Sequence, residues 1–168
     1  MALSMHQASL PVLVHMLKAL KTVIGKAEAH VAARKLDPDA LLAFRLYPDM
    51  FTFRRQVQLA TDFAKGAGAR LSGQEVPKYD DTEQTFDELK ARLDKTMAFL
   101  EGIDPKALEG SESREVTLNI GGKPMPFQGA DYLFHFVLPN FYFHLATAYD
   151  ILRHNGVEIG KRDFLGRA

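Results

Sequence analysis

One histidine, His144, is the side chain best placed to do chemistry, because it falls on the innermost apolar row of a long predicted helix. That helix covers residues 131–156 and contains Pro139. Apolar residues recur along it at alternating steps of three and four, which predicts a helix buried on most of its sides. A histidine there can be a packed and hydrogen-bonded core residue, part of a polar pocket, or a general base or metal ligand.

Other groups that could carry chemistry are few in these 168 residues. The chain has no cysteine, which excludes disulfides, thiolate metal sites and cysteine nucleophiles. No Ser-His-Asp spacing and no paired-carboxylate motif stands out. The glycines at 66 and 68 lie inside a helical pattern with no strand before them, so they do not predict a phosphate-binding loop. Surface or helix-capping roles are expected for His15, His30, His135 and His154.

Length and charge limit the classes of partner. The 21 basic and 21 acidic residues balance, so no overall field favours nucleic acid or an anionic membrane. The most apolar stretch, 132–146, is interrupted by polar residues and is shorter than the ~20 residues of a membrane-spanning helix. No secretory signal is expected at the N-terminus. We therefore predict one soluble, cytoplasmic domain over residues 1–168.

Four long amphipathic helices have to position His144. The first long helix is predicted at residues 10–35 and the second at 48–73, with a short connecting helix at 40–46 between them. The third is capped by Asp81 or Thr82 and reaches Ile103, and the fourth is the helix that contains His144. Small residues in the second half of 48–73 should let a neighbouring helix approach closely. The eight residues 74–81 reach at most ~27 to 29 Å when extended, so they could run back along the bundle and make the third helix parallel to the second.

The helical period changes before the final helix. Val116 and Leu118 alternate with polar residues, and the glycines at 121 and 122 supply a tight turn, so the sequence predicts a β-hairpin. Prolines in its second strand make that strand an edge. After the helix stop at Asn155-Gly156, the tail carries apolar residues, which predicts that it folds back over the bundle or across a dimer partner.

These patterns predict an all-α four-helix bundle with a small β-hairpin between helices 3 and 4. Several segments also resemble the DUF1993 family of uncharacterised bacterial proteins: 51–66 (FTFRRQVQLATDFAKG), 129–140 (GADYLFHFVLPN), 144–156 (HLATAYDILRHNG) and 160–166 (GKRDFLG). That family is grouped with the DinB/YfiT-like four-helix bundles. The resemblance therefore implies an up-down-down-up topology, which agrees with a connection that runs back along the bundle.

The resemblance also implies where a site would lie. Many relatives in the wider group hold a divalent metal with three histidines, one from the second helix and two from an H-x-x-x-H step on the fourth, and some are thiol-dependent transferases or hydrolases. In this sequence His144 occupies the second position of that step, but Asn140 occupies the first, and the nearest inward polar residue of the second helix is Gln56. Catalytic zinc normally takes three ligands from histidine, carboxylate or cysteine. We therefore expect a degenerate metal site and no cofactor.

Three interpretations of His144 follow. It could be a core residue bonded to Thr96, Gln56 or a carbonyl, it could line a metal-free pocket with Asn140 and Gln56 that binds a small molecule, or it could belong to a metalloenzyme. The favoured function is a non-catalytic or small-molecule-binding homodimer, because a helix apolar on two faces can bury the second against a partner. The alternative is a DinB-like transferase or hydrolase that is metal-dependent or uses His144 as general base.

Overall fold

The computed structural model describes residues 3–167. In chain order its elements are α1 (Met5–Ala8), α2 (Leu10–Arg34), α3 (Pro38–Leu42), α4 (Phe53–Ser72), α5 (Phe86–Glu101), two 3-10 helices (Pro105–Leu108 and Ser111–Ser113), strands β1 (Glu115–Ile120) and β2 (Lys123–Gln128), α6 (Gly129–Asp131), a π-helical segment (Tyr132–Val137), α7 (Leu138–His154) and α8 (Lys161–Phe164). The chain is mostly helical with one small antiparallel sheet among the described residues, and its long helices pack as a bundle around one apolar core.

Side-chain pairs give the directions of the long helices. Phe53 and Phe86 lie 6.5 Å apart, measured between ring centroids, near the starts of α4 and α5, and Thr61 and Arg92 meet near the middles, so these helices run in the same direction. In contrast, α2 and α5 are antiparallel: the start of α2 is joined to the end of α5, and later positions of α2 to earlier positions of α5. Helix α7 packs on the other side of α4.

Small residues in α4 allow this close packing, as the sequence predicted. A Cβ atom on Gly68 would lie 2.5 Å from Leu100 Cδ2 and 2.9 Å from Ile103 Cδ1. Any side chain at Gly68 would therefore require the ends of the Leu100 and Ile103 side chains to move.

Several predicted helix boundaries were wrong. Helix α4 begins at Phe53 rather than 48, since Thr52 accepts the N–H of Arg55 and caps it. Helix α5 is capped by Thr85 in a capping box with Glu88, not by Asp81 or Thr82, so the connection before it is longer than predicted. The short helix α3 also begins earlier and ends earlier than 40–46.

The connection between α4 and α5 is held by a buried cation, Arg92, whose side chain is 2% exposed. Its Nε donates to Thr61 Oγ1 at 2.6 Å, and its Nη2 donates to Asp62 at 2.9 Å, both on α4. Its Nη1 lies 3.1 Å from Asp81 and 3.0 Å from Glu83, both on the connection. Asp81 is thereby used as an ion-pair partner, which explains why it does not cap α5.

The final helix differs from the predicted regular helix at residues 132–137. Leu138 N–H bonds the carbonyl of Leu133, five residues back, which is the π-helical pattern. The next residue, Pro139, has no N–H to continue the ladder. The π turn changes the phase of the residues before it, so Phe134 is 44% exposed although the apolar period placed it on the buried row.

The hairpin and the tail follow the predictions. Gly121 and Gly122 have φ of 59° and 79° at the turn between β1 and β2, a conformation that glycine adopts freely. Beyond α7, Val157 and Ile159 are buried, and α8 packs on α2. The tail therefore folds over the chain's own bundle.

Among the described residues, Met5–Arg34 is the one helical stretch long and apolar enough to cross a membrane by length and composition. Residues 132–146, which the sequence predicted to be the most apolar stretch, do not meet this criterion. Of the most apolar window in Met5–Arg34, 56% is buried inside the protein, as is typical of the core helix of a bundle.

Replacing Arg92 with Ala should lower the free energy of unfolding by about 3 to 5 kcal/mol, because the mostly buried Glu83 carboxylate loses its paired cation and Asp62 and Asp81 each lose one of two. Lys18→Ala is the control. It removes an exposed ion pair with Glu101, which lies on the same helix as Arg92, and it should cost less than about 1 kcal/mol. Urea denaturation of both variants measures the difference. Equal losses in the two variants would mean that the Arg92 cluster does not hold the connection.

Candidate functional site

The centre of the candidate site is a hydrogen bond between two helices. Gln56 lies near the start of α4 and His144 lies in α7, 88 residues further along the chain, and the Gln56 Oε1 and His144 Nδ1 atoms are 2.7 Å apart. The two residues are 1% and 7% exposed. The structure thus brings together two of the three residues predicted for the site. Thr96, which the sequence offered as another partner for His144, donates instead to the carbonyl of Arg92 at 2.9 Å.

The contacts of Gln56 define the protonation of the histidine ring. Gln56 Nε2 donates to the backbone carbonyl of Phe51 at 3.2 Å, so the amide oxygen faces His144. Because that oxygen can only accept, the hydrogen atom must lie on His144 Nδ1. In the neutral ring Nε2 then keeps its lone pair, and it has no hydrogen-bond partner within residues 3–167.

The charge state of His144 follows from its surroundings. Burial lowers the pKa of His144 below the ordinary histidine value, and the positive charge of the Arg55 guanidinium lowers it further. The neutral imidazole is therefore the form present at physiological pH. A buried neutral ring with a free lone pair can accept a hydrogen bond or a proton from a bound molecule.

Aromatic rings surround the pair, and sequence reasoning did not single them out. The His144 ring stacks on Phe63 at a centroid distance of 5.5 Å and meets the edge of Phe143 at 5.3 Å. Phe143 is 56% exposed, and Phe51, whose carbonyl holds Gln56, is 54% exposed. The Arg55 guanidinium lies 6.0 Å from the centroid of the Phe51 ring. The sequence did contain one indication that Phe63 lies near the site: it comes two helical turns after Gln56, which places both residues on the same face of α4.

Asn140, the third predicted site residue, has another contact. Its Nδ2 donates to the backbone carbonyl of Phe136, four residues earlier, at 2.7 Å. Phe136 belongs to the π-helical segment, so this amide stabilises the irregular backbone one turn before His144. Asn140 is half-buried, and its Oδ1 is not used in that bond.

The donor set does not fit the metal site of the wider group. Within residues 3–167 there is no group of three or more His, Cys, Asp or Glu that could hold a metal ion. His144 would supply one nitrogen ligand, while Gln56 and Asn140 offer neutral amides that are already hydrogen-bonded. Amides are weak ligands for zinc, so we derive no chemical step through a metal.

This architecture, a helical bundle with a small hairpin before its last long helix, is shared with a protein of the DinB class. The crystal structure of a DinB family member protein from Shewanella denitrificans, determined at 1.83 Å resolution, matches this chain with a TM-score of 0.88 at 40% identity. The match covers 95% of this chain and 90% of that one. The model of the family described as "Domain of unknown function (DUF1993)" matches residues 5–165, so this chain belongs to the DUF1993 family. No curated protein matches it.

The pKa of His144 generates a prediction about pH. Its folded-state pKa is lowered, so when the pH falls below the ordinary histidine value of about 6.5 the unfolded chain binds the proton first. The stability contributed by neutral His144 is therefore present above about pH 6.5 and is lost as the pH falls through the folded pKa. His144→Gln cannot titrate, so it should lose less stability between about pH 7.5 and pH 5 than the wild type.

Denaturation midpoints at the two pH values measure this difference. His135→Gln is the matched control, because it makes the same substitution at an exposed histidine of the same helical segment. An identical pH dependence in the wild type and His144→Gln would show that burial does not disfavour the charged ring.

Proposed function

We propose that this DUF1993 chain is a non-catalytic protein that binds a small molecule without a metal ion, with His144, Gln56 and Asn140 as its polar contacts. The observation that carries the proposal is the buried Gln56–His144 hydrogen bond, which leaves the Nε2 lone pair of a neutral imidazole unpaired within the described residues. This Nε2 atom is not among the fully enclosed polar atoms that lack a partner, so a hydrogen-bond donor that arrives from solvent can reach it.

The surroundings of the pair support a ligand that is partly apolar. Phe51 and Phe143 are the exposed aromatic residues beside Gln56 and His144, and large aromatic surfaces next to a few polar groups are typical of small-molecule sites. Arg55 adds a positive charge close enough to lower the pKa of His144. A ligand with an N–H or O–H donor and an apolar body would match this combination.

We further assign the fold to the DinB/YfiT-like four-helix bundle with up-down-down-up topology, in one domain over residues 1–168. Parallel α4 and α5 support this assignment, because the helices of a bundle with short loops throughout would alternate in direction.

The balanced charge argues against nucleic acid or membrane partners. We place this bacterial protein in the cytoplasm, in keeping with the lack of cysteine.

A second candidate is a DinB-like transferase or hydrolase that is metal-dependent or uses His144 as general base. The neutral ring and free Nε2 of His144 favour this alternative, because a general base must be unprotonated and able to reach the proton it removes. The missing metal ligands at positions 140 and 56 disfavour the metal-dependent form.

Binding and stability of His144 variants test the proposal. His144→Leu should cost about 1 to 3 kcal/mol, because Gln56 Oε1 loses its donor while remaining buried, whereas Gln56→Leu combined with His144→Leu removes both polar groups and should be closer to wild type. In an NMR fragment screen, both variants should lose the fragments that shift the His144 ring resonances of the wild type. Thr96→Val removes a buried hydroxyl away from the site and should retain them.

Two results would contradict the proposal. If the fragments that shift the His144 resonances of the wild type bound His144→Leu equally tightly, His144 would be excluded from the site. Elemental analysis finding about one metal ion per chain, lost in His144→Ala, would favour the metal-dependent enzyme instead.

We also propose a homodimer, formed through the exposed aromatic residues of the last helical segment. Phe134 and Phe143 are 44% and 56% exposed, although such rings are usually buried. Part of the second apolar face of α7 is covered by the tail, since Tyr149 packs edge-on against Phe164 at 5.8 Å. The dimer interface would therefore lie around the two exposed phenylalanines.

Sedimentation velocity should show a dimer for the wild type and a monomer for the variant with Phe134→Ser and Phe143→Ser. Tyr47→Ser is the control, because it removes an equally exposed ring outside the last helix and should leave the dimer intact. A monomeric wild type at high micromolar concentration would refute the dimer.

A further inference from the structure

An open cavity lies along α4, lined by residues other than Gln56 and His144. It has a volume of about 320 Å³, and its walls come from α4, β1 and the π-helical segment. Its apolar wall includes Phe63 and Phe136, whose ring centroids are 5.8 Å apart. This volume is at the lower end of the range for small-molecule sites, about 300 to 1,000 Å³.

Arg70 lines this cavity and is held in a defined position. Its Nη1 donates to the hydroxyl of Tyr132 at 3.0 Å, and Tyr132 is 1% exposed. The guanidinium folds back along its own helix over Gly66, where a Cβ atom would lie 2.4 Å from Nη1. Glycine at 66 therefore makes room for the arginine, and the buried tyrosine fixes it.

The charge of Arg70 is not balanced by the protein. Among the described residues Arg70 forms no salt bridge, and Asp62, the acidic residue that lines the same cavity, is already paired with Lys65 at 2.8 Å and Arg92 at 2.9 Å. The Arg70 Nη2 and Nε donors and the hydrogen of the Tyr132 hydroxyl remain available to a ligand. A half-buried, positioned cation without an anion favours a bound anionic group.

We propose that this cavity binds a small carboxylate with an aromatic or branched apolar body. The carboxylate accepts hydrogen bonds from Arg70 and from the Tyr132 hydroxyl, and the apolar body packs against Phe63 and Phe136. The planar guanidinium matches a carboxylate with two parallel hydrogen bonds. Asn119, on the rim contributed by β1, adds an amide beside the entrance. This site goes beyond the function proposed for His144 and does not depend on it.

Titration calorimetry with three probes tests the inference on the full chain. The probes are 3-phenylpropionate, the uncharged 3-phenylpropionamide and inorganic phosphate. The carboxylate should bind at least about tenfold more tightly than the amide, because charge-assisted hydrogen bonds are about twice as strong as neutral ones. It should also bind more tightly than phosphate, which has no apolar body. The proposal would be overturned if the carboxylate did not bind up to about 10 mM, or if the amide or phosphate bound as tightly as the carboxylate.

Variants then place the binding at Arg70. Arg70→Gln should abolish the preference for the carboxylate, Arg70→Lys should keep a weaker preference, and Gly66→Ala should reduce it by displacing the guanidinium. Arg153→Gln is the control, because Arg153 is an exposed arginine on α7. His144→Leu should leave carboxylate binding unchanged. Carboxylate binding that survives Arg70→Gln would overturn the assignment, and the wild-type comparison of probes stands even if that variant does not fold.

Discussion

The buried guanidinium of Arg92 joins α4, α5 and the connection between them. Its ion pairs reach Asp62 on α4 and Asp81 and Glu83 on the connection, and the Tyr79 ring of the connection lies 5.1 Å from it. A buried charge is tolerated only when it is paired and hydrogen-bonded. The connection must therefore lie along the bundle, where its carboxylates reach the arginine, and this path allows α5 to run parallel to α4.

Helix α7 and the π-helical segment before it also pack against α4, and the two candidate sites lie along these contacts. His144 stacks on Phe63, Phe63 lies against Phe136, and Phe136 stacks on Tyr132 at 6.1 Å, so a continuous row of rings joins the Gln56–His144 bond to the Arg70 cavity. One end of the row offers a neutral imidazole acceptor and the other offers a cation. The two ends therefore suit different chemical groups, although they share Phe63 at the centre of the row.

Features of the fold that depend on neighbours a few residues away were predictable from the sequence. The three-four periodicity gave the long helices, the two glycines after Ile120 gave the hairpin turn, and the end of the first long helix fell close to the left-handed Lys35. Periodicity predicted the burial of His144, whereas Gln56 was one of several partners that the sequence offered for it, beside Thr96 and a carbonyl. The boundaries of α4 and α5 did not follow, because several residues before each helix could serve as caps.

The sequence by itself thus determined the helical segments, the hairpin, the family and the burial of His144, because periodicity, capping and turn residues act over a few positions of the chain. Tertiary structure decided which distant groups meet. Asp81 pairs with arginines instead of capping α5, and Phe134 turns outward because a π turn changes the helical phase. The position of the Arg70 guanidinium and the tautomer of His144 likewise depend on contacts between residues 62 and 88 positions apart, respectively. Such contacts arise only from packing, which no local pattern encodes.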